Sequence, residues 1–486
     1  GDIGAIEIGD DASGEGDFSG TVTATAGAIA SLAVGNDITG AMTAGTTIGA
    51  IEAFDGSLTS ASAILAGTDI TSVTVDSDGS GDDESLAGTV TSTAGNIGAI
   101  SVGNEISGEG DFTGTVTSTL GAIASLAVGN DITGAMTAGT TIGAITAFEG
   151  SLTSTSAILA GTDITSVTVD ADGSGDDESL AGTVTSTTGD IGAIEIGDDA
   201  SGEGDFTGTV TSTAGSIGDV SVGNDITGAM TAGSTIGTIE AFDGSLTSAS
   251  AILAGTGIGD IIIDDDESGE DESLAGTVST AGDIASVTVG GTIGAEGSIT
   301  GSVTTTGGGN IGPIVTGADI ATGASITSSG AITSVDVGND IATGASVTAQ
   351  TLNGITVVGD IIGSINSEGN LEGNITADDI PGAITIGGDL NGSVAATNIT
   401  EGSIDALTVI GVIAPTAPVT IAASGGAVVV TAGAIKPDVG ATLGISATTD
   451  VTVNANGIGA TGGEINSQFG AITFTADSAD VDALDN

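Results

Sequence analysis

The sequence reads GAIASLAVGNDITGAMTA at residues 27–44, and these 18 residues contain the pattern that decides the fold. The first half is an apolar stretch, Ile29 to Val34, closed by the turn Gly35-Asn36-Asp37. The second half is a shorter alternating run that ends at Ala44. Small and β-branched residues that alternate between Gly-bearing turns are typical of strands, and no window shows the 3.6-residue period of a helix. We therefore predict two short strands in this segment.

The same two halves recur in neighbouring segments of different length. Four segments, at residues 1–26, 27–44, 45–66 and 67–94, make up a unit of 94 residues. The unit returns at residues 95–188 and 189–281, the third copy being one residue shorter. Such self-similarity indicates an array in which each unit packs against the next. The predicted fold class is all-β: a parallel β-solenoid (β-helix) with coils of about 18–28 residues, its handedness left open.

Stacked coils place equivalent residues above one another, because parallel strands pair in register. We expect an inward aliphatic ladder and an outward Thr column, and we expect the Phe residues that recur every 94 positions to fill the core or a corner. The predicted ladder is Val22, Met42, Leu58 and Val90, and the predicted Thr column is Thr23, Thr43, Thr59 and Thr91.

Three parts of the chain differ in how regular the repeat is. Residues 1–281 hold three repeats of four coils each, and residues 282–411 keep the rhythm in degenerate form. Residues 412–486 carry Pro415, Pro418 and Pro437, and Pro removes a ladder donor, so we expect irregular coils or a cap there. The chain opens on Gly1-Asp2-Ile3 already in phase with the repeat, as expected of a trimmed mature protein or a fragment.

The composition removes whole classes of function. There are 64 acidic residues against one basic residue, Lys436, and no His, Cys, Trp or Tyr. Without basic side chains, binding to nucleic acid or anionic lipid by direct electrostatics is excluded as a main function. Catalysis would rest on carboxylates and hydroxyls alone, so we expect that the protein is not an enzyme. No run of 18 apolar residues is present, so we expect no membrane insertion.

The longest coils contain acidic insertions between their two halves. Insertions in consecutive coils should leave the solenoid at the same corner, about 4.8 Å apart. Oxygen ligands spaced by Gly suit Ca²⁺, although the EF-hand pattern is met only in part, since the twelfth position from Asp76 is Ala87. The alternative is that these loops only keep the protein soluble. The candidate Ca²⁺ ligands are Asp76, Asp78, Asp82, Asp83, Glu84, Glu105, Glu109, Asp111, Asp170, Asp172, Asp176, Asp177, Glu178, Asp198, Asp199, Glu203 and Asp205.

Thr-rich runs such as residues 21–25 raise the question of an ice-binding surface. Ala41 and Ala44 interrupt the pattern in the next coil. The ordinary strand propensity of Thr explains these runs better.

Two recurrent phrases suggest a relationship to known proteins. Gly-x-Ile-Gly-x-Ile-x-Ile-Gly at residues 1–9 and Gly-Thr-Val-Thr at residues 20–23 resemble the repeat-rich surface proteins of bacteria, which include β-solenoid adhesins, autotransporter passengers and surface-layer or filament subunits. The resemblance implies export, a parallel β-solenoid and a structural or adhesive role.

The sequence therefore predicts an extracellular or cell-surface structural protein that polymerises with itself into a filament, sheath or layer. Solenoid ends expose strand edges that another copy could cover, and contacts through the sides are equally open. Acidic clusters four coils apart are separated by about 19 Å, beyond the Debye length of about 8 Å, so they hardly repel one another. The alternative is a monomeric adhesin stalk or passenger that holds a binding tip away from the cell.

Overall fold

The structure of the protein is a computed structural model. It describes residues 1–9, 15–77, 84–103, 109–171, 178–197, 203–263, 272–290, 297–398, 402–413, 419–435, 443–455, 463–467 and 472–476. These residues form strands and turns, and no helix occurs among them. The strands pair in parallel as a β-solenoid with coils about 23 residues apart, which confirms the predicted fold class.

The strands follow the repeat. In the first repeat they are β1 (Ile3–Ile8), β2 (Thr21–Ala24), β3 (Ile29–Val34), β4 (Ala41–Ala44), β5 (Ile48–Ala53), β6 (Ala63–Ala66), β7 (Ile70–Val75), β8 (Ser85–Leu86) and β9 (Thr89–Ser92). In the second they are β10 (Ile97–Val102), β11 (Asp111–Phe112), β12 (Thr115–Ser118), β13 (Ile123–Val128), β14 (Ala135–Ala138), β15 (Ile142–Ala147), β16 (Ala157–Ala160), β17 (Ile164–Val169), β18 (Ser179–Leu180) and β19 (Thr183–Ser186). In the third they are β20 (Ile191–Ile196), β21 (Asp205–Phe206), β22 (Thr209–Ser212), β23 (Val220–Val222), β24 (Ala229–Ala232), β25 (Thr235–Ile236), β26 (Ile239–Ala241), β27 (Ala251–Ala254), β28 (Gly257–Ile263), β29 (Ser273–Leu274) and β30 (Thr277–Thr280).

Strands continue beyond the three repeats. They are β31 (Asp283–Val289), β32 (Ser298–Ile299), β33 (Ser302–Thr305), β34 (Ile311–Thr316), β35 (Ser325–Val337), β36 (Ser346–Leu352), β37 (Ile355–Val357), β38 (Ser364–Ser367), β39 (Ile375–Ala377), β40 (Ile380–Ile386), β41 (Val394–Ala396) and β42 (Ile404–Ile413). The last are β43 (Val419–Ala423), β44 (Val428–Ile435), β45 (Leu443–Ala447), β46 (Val451–Ala455), β47 (Gly463–Ser467) and β48 (Ile472–Ala476).

The chain divides into two compact units. The first comprises Gly1–Gly244 and Ala249–Ala254, and the second comprises Ser245–Ser248 and Gly255–Asn486.

Each coil of the first unit contributes to three columns. The long-strand column stacks β1, β3, β5, β7, β10, β13, β15, β17, β20, β23 and β26. The short-strand column stacks β2, β4, β6, β9, β12, β14, β16, β19, β22, β24 and β27. Between them lies the bridge column, in which one apolar residue per coil pairs with the next, as Phe18 pairs with Ile38 and Ile38 with Leu58. Every predicted segment thus supplies one long and one short strand.

The core lies between the three columns. The third coil shows the pattern, in which the long strand, the bridge residue and the short strand each point apolar side chains inward. These side chains are Ile48, Ile51, Ala53, Leu58, Ile64 and Ala66, and all are buried. The columns stay in register from coil to coil, so the core is a continuous stack of such layers.

One member of the predicted ladder was wrong. Val22 pairs with Met42 as expected, but Met42 pairs with Ile64 and Ile64 with Val90. Leu58 lies in the bridge column instead, and the Thr column correspondingly contains Leu65 in place of Thr59. The reason is that the third coil has two additional residues between its bridge residue and its short strand, compared with its neighbours.

The second unit keeps the same arrangement with less regular strands. β35 is 13 residues long and serves both columns, since residues 325–327 pair with β33 and residues 332–337 pair with β34. Parallel pairing continues along the described residues as far as β46 with β48. Lys436 lies outside the described residues.

Candidate functional site

The described flanks of the acidic insertions lie at one corner of the first unit, between the long-strand column and the bridge column. On the entry side, β7 and β10 pair in register, with Val75 opposite Val102. On the exit side, β8 and β11 pair, with Ser85 opposite Asp111. The flanks of the two insertions are therefore one coil apart on both sides, as predicted, at a spacing of about 4.8 Å.

The second repeat reproduces this corner. β17 pairs with β20 on the entry side, and β18 pairs with β21 on the exit side, with Ser179 opposite Asp205. The backbone N–H of Asp205 donates to the Glu178 carbonyl, as that of Asp111 donates to Glu84. The corner therefore recurs every four coils.

Eight of the predicted Ca²⁺ ligands lie among the described residues, and all eight flank the insertions. They are Asp76, Glu84, Glu109, Asp111, Asp170, Glu178, Glu203 and Asp205. The other nine lie outside the described residues, and they are Asp78, Asp82, Asp83, Glu105, Asp172, Asp176, Asp177, Asp198 and Asp199. Within the described part of the chain, no three acidic side chains are grouped closely enough to hold a metal ion.

Asp76 and Asp170 begin the longer insertions in an unusual backbone conformation. Their φ angles are 57° and 58°, and they are the only described residues other than Gly with positive φ. Their side chains are 2% and 3% exposed. Asp tolerates the left-handed region better than most residues. Each one directly follows the last core residue of a long strand, Val75 in β7 and Val169 in β17.

The shorter insertions are closed by a pair of glycines. Gly103 and Gly110 have φ angles of 72° and 96°, and a Cβ on Gly110 would lie 2.5 Å from the Gly103 Cα. The same pair recurs at Gly197 and Gly204. The backbone thus passes over itself at the base of the insertion, where a side chain does not fit. In the sequence, this closed base is marked by two glycines seven positions apart, and the sequence analysis did not predict it.

A further feature of the corner was missed by sequence reasoning. The residue before each bridge residue of the first unit is Asp or Ser, and in several coils its side-chain oxygen accepts the backbone N–H of the equivalent residue in the next coil. Examples are the Ser57 N–H to Asp37 Oδ1 at 2.9 Å, the Ser85 N–H to Ser57 Oγ at 2.9 Å and the Ser151 N–H to Asp131 Oδ1 at 2.9 Å. We call these residues the Asp/Ser column. It satisfies backbone donors at the corner, and its carboxylates make the corner acidic.

In the second unit the Asp/Ser column becomes a run of aspartates in consecutive coils. The Asp340 N–H donates to Asp319 Oδ1 at 2.8 Å, and the Asp360 N–H donates to Asp340 Oδ1 at 2.7 Å. Burial, followed by the charges of Asp340 and Asp379, raises the pKa of Asp360. A hydrogen bond from the Asp379 backbone N–H opposes that rise in pKa. Like charges are stacked here because the column is built for backbone hydrogen bonding.

The substitution Asp360→Asn should stabilise the second unit at pH 7 by a small amount. A carboxyl whose pKa is raised by folding disfavours the native state while ionised, and acidification through its folded pKa relieves this penalty. The advantage of Asn should therefore shrink as the pH falls and disappear below about 3.8, the ordinary pKa of Asp. Urea unfolding at pH 7 and pH 3 measures the difference. The control Asp336→Asn removes the same charge from β35, and equal stabilisation by both variants would contradict this account.

The chemistry available at the corner is limited to oxygen acceptors. With one basic residue in the whole chain, basic side chains can neutralise almost none of the 64 carboxylates. Carboxylate and carbonyl oxygens suit hard cations such as Ca²⁺.

No helix long and apolar enough to cross a membrane was found among the described residues. Comparisons of the chain with family profiles, curated proteins and solved structures each returned no match.

Proposed function

We propose that the protein is an extracellular structural protein that assembles with copies of itself into a filament, sheath or surface layer. One observation carries the proposal: in the first unit, surface features recur every fourth coil in the same column. The paired insertion flanks do so at Glu84 and Glu178, and exposed leucines do so at Leu65, Leu159 and Leu253. A surface that repeats by translation of about 19 Å offers a second copy several equivalent places to bind.

The composition supports the same proposal. Because the sequence has no His, Cys or Tyr and a single basic residue, a structural role is the one best served by the residues that remain. A chain with a single Lys or Arg also offers almost no site for trypsin-like cleavage, which suits an exposed location.

Electron microscopy of the purified protein tests this proposal. We expect ordered polymers whose formation depends on protein concentration. Isolated molecules of uniform size at every concentration would contradict self-assembly and favour the adhesin stalk or passenger.

We also propose that the insertions bind Ca²⁺ at the acidic corner. Support comes from the flanks of consecutive insertions, which lie one coil apart and carry carboxylates such as those of Glu84 and Asp111. The cation would offset repulsion among these carboxylates. Its ligands would come from the insertions and from flanking residues such as Glu84 and Glu109.

Calcium should then raise the stability of the first unit. At about one hundred times the dissociation constant, a site specific to the folded state contributes about 2.7 kcal/mol. Urea unfolding in Ca²⁺ and in chelator measures the gain, and Mg²⁺ controls for general screening. The variant Glu84→Gln with Glu109→Gln should lose part of the gain, whereas Glu7→Gln with Glu52→Gln should keep it. If chelator changes neither unfolding nor assembly, the Ca²⁺ proposal fails.

A further inference from the structure

The outer face of the short-strand column is unusual for so acidic a chain. In the first unit this column has eleven strands, and none of them contains an Asp or Glu. The long-strand column, by contrast, includes Glu7, Glu52, Glu195 and Glu240. The Asp/Ser column at the bridge is acidic as well. We call the outward side of the eleven short strands the neutral face.

The neutral face presents small residues, Thr and regularly placed leucines. The first and third residues of each short strand point outward, as Ala63 and Leu65 do in β6 and Thr89 and Thr91 do in β9. Leu65, Leu159 and Leu253 are 41%, 41% and 50% exposed. Consecutive leucines are four coils apart, so they form a row with a period of about 19 Å.

We propose that the neutral face is where two copies of this chain pack side by side. This inference rests on the proposed self-assembly and names the surface that carries it. The argument for a second copy is electrostatic. A basic partner would be attracted to the acidic corner and the long-strand column, whereas another molecule of net charge −63 can approach closely only where carboxylates are missing.

The dimensions of the face fit such a contact. Eleven strands about 4.8 Å apart, with four residues each rising about 3.3 Å, give a face of about 700 Å². Two copies would together bury about 1,400 Å², which lies within the range of specific interfaces. Sheets pack face to face at about 10 Å, which side chains as small as Thr and Ala allow.

The leucine row also fixes the register in which two copies pack against each other. In the column of first positions, Ala41 and Ala63 follow one another in neighbouring coils and leave a shallow gap. Two copies related by a two-fold axis can place each Leu over such a gap in the partner. Because both copies carry the same period, several contacts form at once.

The test compares two triple variants by sedimentation velocity over a range of protein concentrations. Leu65→Glu, Leu159→Glu and Leu253→Glu place three carboxylates on the neutral face. The matched control, Ser72→Asp, Ser101→Glu and Thr146→Glu, places three carboxylates on the long-strand column. Each control position already has a carboxylate in another repeat, at Asp260, at Glu7 and Glu195, and at Glu52 and Glu240. Circular dichroism of both variants verifies folding.

We expect the neutral-face variant to raise the concentration needed for assembly by at least about tenfold, because like charges would face each other in the contact. The control should assemble as the native protein does. A milder variant, Leu65→Thr, Leu159→Thr and Leu253→Thr, keeps the strand propensity of the column and should weaken assembly to a smaller extent. It also serves if the Glu variant does not fold.

The outcomes separate this inference from the proposed function. If the native protein assembles and both triple variants assemble equally well, the copies meet through another surface and the neutral face is not involved. If both triple variants lose assembly to the same extent, added charge alone is responsible, which also overturns the inference. If the native protein never assembles, the proposed function fails together with it.

Discussion

Val116→Asp is expected to abolish the cooperative folding of the first unit, whereas Thr117→Asp at the next position leaves it folded. Val116 is fully buried in the short-strand column, between Val90 and Met136 in the coils on either side. A carboxylate there would be surrounded by aliphatic side chains above, below and across the core. Thr117 points outward from the same strand, so a carboxylate at that position stays in water.

The expected difference between the two variants is large. Burying an unpaired carboxylate costs several kcal/mol, which is most of the 5–15 kcal/mol that usually stabilises a domain. The outward Asp loses only strand propensity, within about 1 kcal/mol. Urea unfolding followed by circular dichroism measures both. Similar midpoints for the two variants would show that Val116 and Thr117 do not face opposite sides of the strand.

Gly98→Ala should destabilise the first unit by about 1–3 kcal/mol, the range typical of overpacking. The long strand bends at its second residue, so that its first, fourth and sixth residues all point inward. At this bend a Cβ on Gly98 would overlap the carbonyl oxygen of Thr71 in the preceding coil. Since that atom belongs to the backbone, both coils would have to move.

Gly4 provides a matched control for this prediction. It occupies the same position in β1, and a Cβ there meets nothing within 4 Å. Replacing a Gly by Ala without a clash usually stabilises a protein by about 0.4–1 kcal/mol, because it restricts the unfolded chain. Gly98→Ala and Gly4→Ala should therefore change the free energy of unfolding in opposite directions. The same sign and size for both would mean that the coils are not packed as closely as described.

The coil boundaries could be predicted from the sequence because one pattern is repeated many times. Each coil repeats the same order of an apolar stretch, a turn and a short run, as at Ile29, Gly35 and Ala41. Because this order recurs many times, it is evident from the sequence. The structure places one long and one short strand in each predicted segment. Periodicity identifies strands, and repetition identifies the stack.

The position of Leu58 could not be predicted from the local sequence. Gly56-Ser57-Leu58-Thr59 looks like Gly40-Ala41-Met42-Thr43, and alignment on the Gly places Leu58 beside Met42. Leu58 instead follows Ile38 in the bridge column, and Ile64 takes the ladder position. In a stack of coils, the column to which a side chain belongs depends on the residue that it pairs with in the next coil. The local amino-acid sequence does not reveal that pairing.

At the acidic corner, the sequence predicted where the insertions leave the coil but not how the backbone is held there. The flanks of the insertions at Val75 and Ser85 are stacked on those of the next coil as expected. The Asp/Ser column was missed because Asp37 was read only as part of a turn. The signal was present, since Asp or Ser precedes each bridge residue, but its meaning depends on a hydrogen bond to the following coil.

Distances between spin labels on equivalent residues test in-register stacking most directly. The chain has no Cys, so nitroxides can be placed on Thr74→Cys with Thr168→Cys, and on Thr74→Cys with Ser221→Cys. These residues lie four and six coils apart in the long-strand column of the first unit. Dilution into unlabelled protein removes distances between molecules. We predict separations of about 19 and 29 Å, an increase of about 4.8 Å per coil. Distances that do not grow with the number of coils would contradict the stack on which the whole account depends.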